Sequence, residues 1–244
     1  METINIEEKG QELYEYNLAL HEIIDGEIYA KFAYFEEPDK FNYTVLFKLM
    51  TLLDTVSFLM KNLQDKRYYF NSIYLILRTC LSDIICLHYI FEKLLNKEQA
   101  KERIQLIMDD HVFYIYHSAD DAERTLLIQS FPDCFDNGKP KKSVNKVSVK
   151  GMYSQIQLPW IKKEVAVAMN LYDFFSKLEH NGVLSFNIMH KPFTPEGYES
   201  AKLKVCDAIT TIVRGIQPPL LNWLNKDNEQ FKGLVKMVNK LQIY

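Results

Sequence analysis

Residues 67–95 read RYYFNSIYLILRTCLSDIICLHYIFEKLL, and the predicted fold class depends on this stretch. Wound as a helix, it is apolar on nearly every side, which is typical of a helix at the centre of a bundle or across a membrane. Two charged residues, Arg78 and Asp83, lie near its middle, and each would cost about 2.5–3.5 kcal/mol at the centre of a bilayer. Ser72 and His88 dilute the apolar run further. We therefore predict a buried core helix, not a membrane span.

Helical periodicity continues on both sides of this stretch. Apolar residues recur at spacings of three and four, as one face of a helix requires. Pro159 and Pro195 are well placed to open later helices, because proline suits the first turn. Pro38 is expected to separate two early helices, and Pro218-Pro219 to break or kink a late one. The flanking helices are predicted over residues 8–33, 41–63, 97–116, 160–180, 195–216 and 220–241.

Residues 131–158 interrupt the helical pattern with Pro132, Asn137-Gly138 and Pro140. We expect a long loop or a small β-hairpin here. Glycine and proline are scarce elsewhere, at eight each in the chain, which argues against an all-β fold with many tight turns. The sequence therefore predicts an all-α fold, a helical bundle of about six to seven helices. We expect a single domain over residues 1–244, with an acidic helical segment at 1–40 and the bundle core at 41–224.

The cysteines and the first residues bear on the class of protein. The chain starts METINIEE, without the basic start and apolar run of a secretory signal, so we expect a cytoplasmic protein. No cysteine pair has the two-residue spacing of a zinc or redox motif, and Cys80 and Cys86 are expected to pack as small hydrophobes. The chain also lacks the glycine-rich motifs that cradle phosphates. We predict neither a metal nor a cofactor.

Charge is distributed unevenly along the chain. Residues 1–40 carry eleven acids against three lysines, whereas residues 139–163 carry seven lysines and no acid. The basic segment would suit contact with a phosphate backbone, and Tyr153 and Trp160 would add stacking surfaces for bases. A solvated loop explains the same residues. The candidate phosphate or nucleic-acid contacts are Lys141, Lys142, Lys146 and Lys150.

Polar residues on apolar helix faces mark a second candidate site. Charged residues are rarely buried without a partner, so Arg78 and Asp83 require neighbours if their helix is central. A stripe of the helix at 160–180 is apolar at its start and polar at its end. We predict that this end meets the central helix and forms a ligand-binding site. Its candidate residues are Arg78, Asp83, Tyr172, Ser176 and His180.

The same residues have a purely structural interpretation. Arg78 would pair with a carboxylate such as Glu179, and the Ser176 and His180 side chains would bond to nearby backbone, since buried polar groups are usually satisfied. A catalytic serine is not favoured, because no oriented base or oxyanion site accompanies Ser176.

Two stretches, Leu77-Arg-Thr-Cys-Leu-Ser-Asp83 and Tyr172-Asp-Phe-Phe-Ser-Lys-Leu-Glu-His180, resemble bacterial helical proteins allied to the HEPN superfamily. The resemblance covers about residues 45–215. It implies an up-and-down helical bundle, often a dimer, associated with toxin–antitoxin or phage-defence systems. Ribonucleases of that superfamily carry an Arg followed four to six residues later by a His, and this chain has no such pair.

Three functions follow as hypotheses. The first is a non-catalytic protein that binds a partner or a small ligand, such as a nucleotide, near Arg78 and His180. The second is a HEPN-like ribonuclease or nucleotide-modifying enzyme, with the lysine-rich segment on the phosphate backbone and His180 as acid or base. The third is self-association, in which the acidic residues 1–40 of one subunit meet the basic segment of another.

Overall fold

The predicted core helix, α3 (Tyr69–Phe91), lies at the centre of the computed structural model. The structure describes residues 4–63, 66–93, 96–141, 147–177 and 190–242. Around α3 lie α1 (Ile6–Ile23), α2 (Glu37–Lys61), α4 (Lys97–Ser118), α5 (Asp121–Ser130), α6 (Val149–Gln155), α7 (Pro159–Ser176), α8 (Pro195–Leu221) and α9 (Glu229–Leu241). A π-helical turn, Ile24–Ile28, and a 3₁₀ turn, Tyr29–Tyr34, connect α1 to α2. Shorter 3₁₀ turns are Pro132–Cys134 and Lys191–Phe193.

The all-α prediction is confirmed, although the described residues contain nine α-helices, more than the six to seven expected. The short helix α6 accounts for part of the difference. It begins at Val149, inside the region where a long loop or a small hairpin was expected. Ser148 caps it by accepting a hydrogen bond from the Gly151 backbone N–H at 3.0 Å, and such a cap favours a helix start over a strand.

The hairpin is present in the predicted region. Strands β1 (Phe135–Asp136) and β2 (Lys139–Pro140) pair antiparallel, with Phe135 opposite Pro140. Asn137 and Gly138 form the turn with φ angles of 50° and 74°. Two positive φ angles in a two-residue turn suit Asn-Gly, whose backbone tolerates that conformation.

One hydrophobic cluster runs through the molecule and includes both ends of the described chain. Leu13, Tyr16 and Leu20 of α1 are fully buried in it, as are Leu234 and Val238 of α9. The acidic N-terminal segment is therefore an amphipathic helix whose apolar side belongs to the core. The core also extends beyond the boundaries of 41 and 224 that the sequence suggested.

Both α2 and α3 are long and apolar enough to cross a membrane, by length and composition alone. The bundle packs both of them against other helices. In the most apolar window of α3, 67% of the residues are buried inside the protein, whereas the figure for α2 is 39%. This burial agrees with the central position predicted for α3. In α2, by contrast, many residues of the apolar stretch lie at the surface.

The prolines lie near the expected helix ends, but inside the helices. Residues 35–36 separate the 3₁₀ turn from α2, and Pro38 lies in the first turn of α2, where the missing proline N–H is not needed. Pro218 and Pro219 do not break α8, which continues to Leu221. A proline inside a helix leaves the carbonyl four residues earlier without its donor.

The carbonyl of Gly215, which Pro219 leaves unpaired, has another partner. The Nε2 atom of His88 on α3 lies 3.0 Å from it, and since a carbonyl only accepts, Nε2 must carry the proton. His88 is fully buried. Burial lowers the pKa of its imidazole to about 4, and the bond to Gly215 offsets this only in part. The ring is therefore neutral near pH 7 and joins α3 to α8.

The same glycine allows the two helices to approach closely. A Cβ added at Gly215 would lie 2.7 Å from Cγ2 of Ile84 on α3. Real side chains do not pack at that distance, so only glycine fits without a shift. The crossing of α3 and α8 is thus fixed by one small residue and one buried hydrogen bond.

Candidate functional site

Three of the predicted polar residues meet where α3 crosses the end of α7. The Arg78 guanidinium donates from Nε to Ser176 Oγ at 3.1 Å and from Nη2 to Tyr172 Oη at 3.2 Å. It also lies 5.1 Å from the centre of the Tyr172 ring, within the range of a cation–π contact. All three side chains are partly exposed. We call Arg78, Tyr172 and Ser176 the Arg78 cluster.

The hydrogen-bond directions within the Arg78 cluster can be assigned. The Ser176 hydroxyl donates its proton to the Tyr172 backbone carbonyl at 2.7 Å, so its oxygen accepts from Arg78. A guanidinium only donates, so Tyr172 Oη also acts as acceptor. In the described part of the chain, no other hydrogen bond is found for this tyrosine hydroxyl. Its proton therefore remains available to a ligand.

Local packing explains why these residues meet. On α7, Ile161, Val165 and Met169 are buried against the bundle, and Tyr172 and Ser176 continue the same stripe into partial exposure. Residues three and four apart share one helix face. The stripe therefore leads directly from the core to the polar cluster, as its sequence pattern indicated.

Asp83, which was placed in the same candidate site, points elsewhere. Its two carboxylate oxygens each lie 2.9 Å from Lys48 Nζ on α2. Five residues along a helix turn the side chain by about 140° from Arg78, so the two cannot line one small site. Burial raises the pKa of the Asp83 carboxyl, while the Lys48 ammonium acts in the opposite direction. Asp83 thus forms an ion pair between α2 and α3.

The remaining predicted residues are only partly placed. His180 and Glu179 lie outside the described residues, as do Lys142 and Lys146. Of the other lysines in the candidate phosphate contact, Lys150 places Nζ 3.2 Å from Asp173 Oδ1 on α7.

The aromatic residues suggested as stacking surfaces also have contacts within the chain. Tyr153 lies under the ammonium of Lys162, whose Nζ is 5.3 Å from the ring centre. Trp160 packs edge-on against Phe91 with ring centres 6.2 Å apart, and it is 52% exposed. Of these two rings only Trp160 is exposed, and part of the lysine-rich segment lies outside the described residues.

Two surface cavities stand out, and neither contains a member of the Arg78 cluster. One, of about 480 Å³, lies between α7 and α8 and is lined in part by Asn170, Phe174, Lys204, Asp207 and Arg214. The other, of about 380 Å³, lies beside Arg103. The sequence pattern predicted neither cavity, because each cavity is lined by individual residues from several helices and not by one helix face.

A buried ion pair borders the second cavity. Arg103 Nη1 lies 2.9 Å from Glu92 Oε2 and also donates to the Tyr89 carbonyl. Glu92 Oε1 accepts the backbone N–H groups of Gln157 and Leu158 at 2.5 and 2.6 Å. Burial alone would raise the pKa of the Glu92 carboxyl, yet these donors together lower it. The pair joins α3 and α4 to the turn before α7, which is a structural role.

The cysteines are structural as well. Burial raises the pKa of every one of the four thiols, to about 12 for Cys86 and Cys206 and to about 11 for Cys134. A thiol with such a pKa is not a nucleophile near neutral pH. Among the residues described, no group of three or more His, Cys, Asp or Glu side chains could hold a metal ion.

A connected set of aromatic side chains, which the sequence reading missed, covers the surface where the 3₁₀ turn meets α2. Neighbouring ring centres lie 5.0–6.5 Å apart, and Tyr29 and Phe47 are 60% and 47% exposed. The sequence shows the high aromatic content of residues 29–47, but it does not show that these rings are exposed at the surface. We call this set the aromatic surface; its members are Tyr29, Phe32, Phe35, Tyr43, Phe47 and Trp223.

No protein-family model matches the chain, and no curated protein or solved structure shows significant similarity to it. The resemblance to HEPN-allied proteins therefore stays a prediction. Any statement about function must come from the chain's own residues.

Proposed function

We propose that this protein is a non-catalytic binding protein that holds an anionic group, a phosphate or a carboxylate, at the Arg78 cluster. The observation that carries the proposal is the Tyr172 hydroxyl, whose proton no described residue accepts, beside the Arg78 guanidinium that this hydroxyl helps to hold. Arg78 has a further interaction besides these two hydroxyls, so the anion would share the guanidinium with groups already present and take the tyrosine proton.

The chemistry of these groups supports an anion. Arginine has a planar set of donors that matches the oxygens of carboxylates and phosphates. Ser176 and Tyr172 hold that plane from two directions, so little side-chain freedom is lost when a ligand arrives. Because Arg78 is only partly buried, an anion would not have to lose all of its hydration.

Calorimetric titration with inorganic phosphate and with citrate tests the proposal and separates the two anion types. Arg78→Ala is expected to weaken binding about 10- to 150-fold, because hydrogen bonds to charged groups contribute about 1.5–3 kcal/mol. Tyr172→Phe retains the ring and removes the hydroxyl, so a loss of about 3- to 10-fold is expected.

Arg67→Ala is the matched control. Arg67 is also partly exposed and lies over a tyrosine ring, 4.5 Å from the centre of Tyr198, but belongs to no such pair of hydroxyls. Its loss should leave the titration unchanged. Absence of binding by the wild-type chain to both anions, or equal binding by Arg78→Ala, would refute the proposal.

The non-catalytic part of the proposal is tested separately. It is supported by the raised pKa values of the thiols and by the commitment of the His88 imidazole to a backbone carbonyl. Purified protein incubated with RNA, with and without divalent metal, should leave the RNA intact. Cleavage that disappears in His180→Ala would instead favour the HEPN-like ribonuclease. A place in phage defence or a toxin–antitoxin system is proposed on the resemblance alone.

A further inference from the structure

The outward side of α2 differs from that of an ordinary surface helix. Residues Phe47, Thr51, Thr55 and Phe58 follow one another at spacings of four, four and three, so they form one stripe along the helix. All four are exposed, with Phe58 63% exposed. Surface helices normally present charged residues on this side. We call these four residues the α2 outer stripe.

The charged side chains nearest to the α2 outer stripe both contact neighbouring helices. Lys48 binds Asp83 on α3, as described above. Asp54 accepts a hydrogen bond from Asn17 Nδ2 on α1 at 2.5 Å and lies 3.2 Å from His21 Nε2. The Lys48 ammonium is therefore compensated by a carboxylate, whereas the Asp54 carboxylate is held toward α1 and keeps 46% of its side chain exposed.

The stripe's threonine hydroxyls are satisfied too. Thr51 Oγ1 donates to the Phe47 carbonyl at 3.1 Å, and Thr55 Oγ1 donates to the Thr51 carbonyl at 3.2 Å. Covering the stripe with another apolar surface would leave neither hydroxyl proton without an acceptor. Burial of this face thus avoids the usual cost of an unpaired polar group.

The apolar surface is large enough for a specific interface. Phe47 connects the α2 outer stripe to the aromatic surface by stacking on Tyr43, with ring centres 6.5 Å apart. At about 200 Å² for each ring, the exposed fractions of Tyr29, Phe47 and Phe58 amount to roughly 340 Å². A standard interface buries about 800 Å² from each partner, of which somewhat more than half is apolar, so these three rings supply most of the apolar area that one side needs.

We infer that the occupant of this face is a second copy of the chain, packed through α2 in an antiparallel, two-fold arrangement. A two-fold interface brings each surface patch against an identical patch. The four stripe residues carry no charge, so two identical stripes can meet without like charges in contact, and the Asp54 carboxylate beside them is turned toward α1. The two threonines lie at the middle of the stripe, where small side chains let two helices approach. With the axis between Thr51 and Thr55, Phe47 of one copy lies level with Phe58 of the other.

The ends of α2 carry complementary charge in this arrangement. The first turn contains Glu37 and Asp39, and Lys61 and Lys66 lie in the last turn and just after it. Antiparallel packing sets the acidic end of one copy beside the basic end of the other, which is also the favourable alignment of the helix dipoles. This contact differs from the earlier hypothesis, which paired residues 1–40 with the lysine-rich segment.

The oligomeric mass tests the inference on the full chain. Interfaces of standard size bind in the micromolar range or tighter, so light scattering at about 50 µM should give twice the chain mass of 28.8 kDa. Phe58→Glu should raise the dissociation constant at least about 100-fold, since it places two carboxylates in the apolar contact. Val167→Glu, at a 52% exposed site on α7, should leave the dimer intact. Circular dichroism checks that both variants remain folded.

A charge exchange tests the orientation. Glu37→Lys and Lys66→Glu should each weaken the dimer, and the double variant should recover wild-type affinity if the helices pack antiparallel. A wild-type chain that is monomeric at 50 µM, or a Phe58→Glu variant that is still dimeric, would overturn the inference. So would a monomer that binds neutral lipid vesicles through Phe58, because the face would then serve a membrane. Phosphate binding at the Arg78 cluster is on other helices and should be unaffected.

Discussion

The buried contact between His88 and Gly215 makes the stability of the protein dependent on pH in a defined window. In the unfolded chain the imidazole takes up its proton near the ordinary pKa of 6.5, whereas burial in the native state lowers that pKa to about 4. Between these values the unfolded state binds more protons, so stability falls as the pH falls from about 6.5 to 4. Above pH 6.5 the imidazole is neutral in both states and contributes no pH dependence.

The magnitude follows from the size of the pKa shift. One pKa unit corresponds to about 1.4 kcal/mol, so a shift from 6.5 to about 4 predicts a loss of roughly 3 kcal/mol across the window. The test is urea unfolding at a series of pH values from 7.5 to 3.5, for the wild type and for His88→Gln. Glutamine can still donate to the Gly215 carbonyl but does not titrate. Acid-sensitive carboxylates such as Glu92 are common to both proteins, so they cancel in the comparison.

A double-mutant cycle separates the hydrogen bond from the titration. At pH 7.5, His88→Leu leaves the Gly215 carbonyl without a donor and should cost about 1–3 kcal/mol. Pro219→Ala restores a backbone N–H four residues after Gly215, so it should recover part of that loss in the His88→Leu background. If wild type and His88→Gln lose stability equally between pH 6.5 and 4, or if Pro219→Ala gives the same change in both backgrounds, the reasoning fails.

Two further substitutions probe the packing. Glu92→Gln should cost about 3–5 kcal/mol, because it leaves the buried Arg103 without its carboxylate; a loss below 1 kcal/mol in urea unfolding would contradict this. Gly215→Ala should cost about 1–3 kcal/mol by overpacking, since the new Cβ would meet Ile84 at 2.7 Å. Gly233→Ala in α9 meets nothing within 4 Å and should instead stabilise by about 0.5–1 kcal/mol; equal effects of the two glycine substitutions on the melting temperature would refute the packing argument.

Periodicity was sufficient to predict the part of the candidate site that lies on regular helices. The stripe of α7 and the position of Arg78 on α3 follow from a repeat of 3.6 residues, and the structure brings Arg78, Tyr172 and Ser176 into contact. Asp83 shows the limit of that argument. Its helical phase already separated it from Arg78, but the identity of its partner, Lys48, depends on which helix packs beside α3.

The continuation of α8 through Pro218 and Pro219 was not predicted for a related reason. Part of the cost of a proline inside a helix is the carbonyl that it leaves unpaired, and His88, 127 residues earlier in the chain, supplies a donor to the Gly215 carbonyl. No local window of sequence contains both groups. The exposure of the aromatic surface was equally hidden, since aromatic residues at helical spacing usually pack in a core.

The outward face of α2 shows both limits of prediction from sequence. Its residues were correctly predicted to be helical. Which side of the helix faces solvent depends on α1 and α3, because they pack against the opposite side. A solvent-facing stripe of a helix ordinarily carries charged residues such as lysine or glutamate. At positions 51, 55 and 58 this chain has threonine, threonine and phenylalanine instead. The threonines return their protons to the helix backbone, so the stripe offers neither charge nor free hydroxyl protons to water. A surface with these properties gains more from apolar contact than from solvent, and a second identical stripe supplies that contact without introducing unpaired charge.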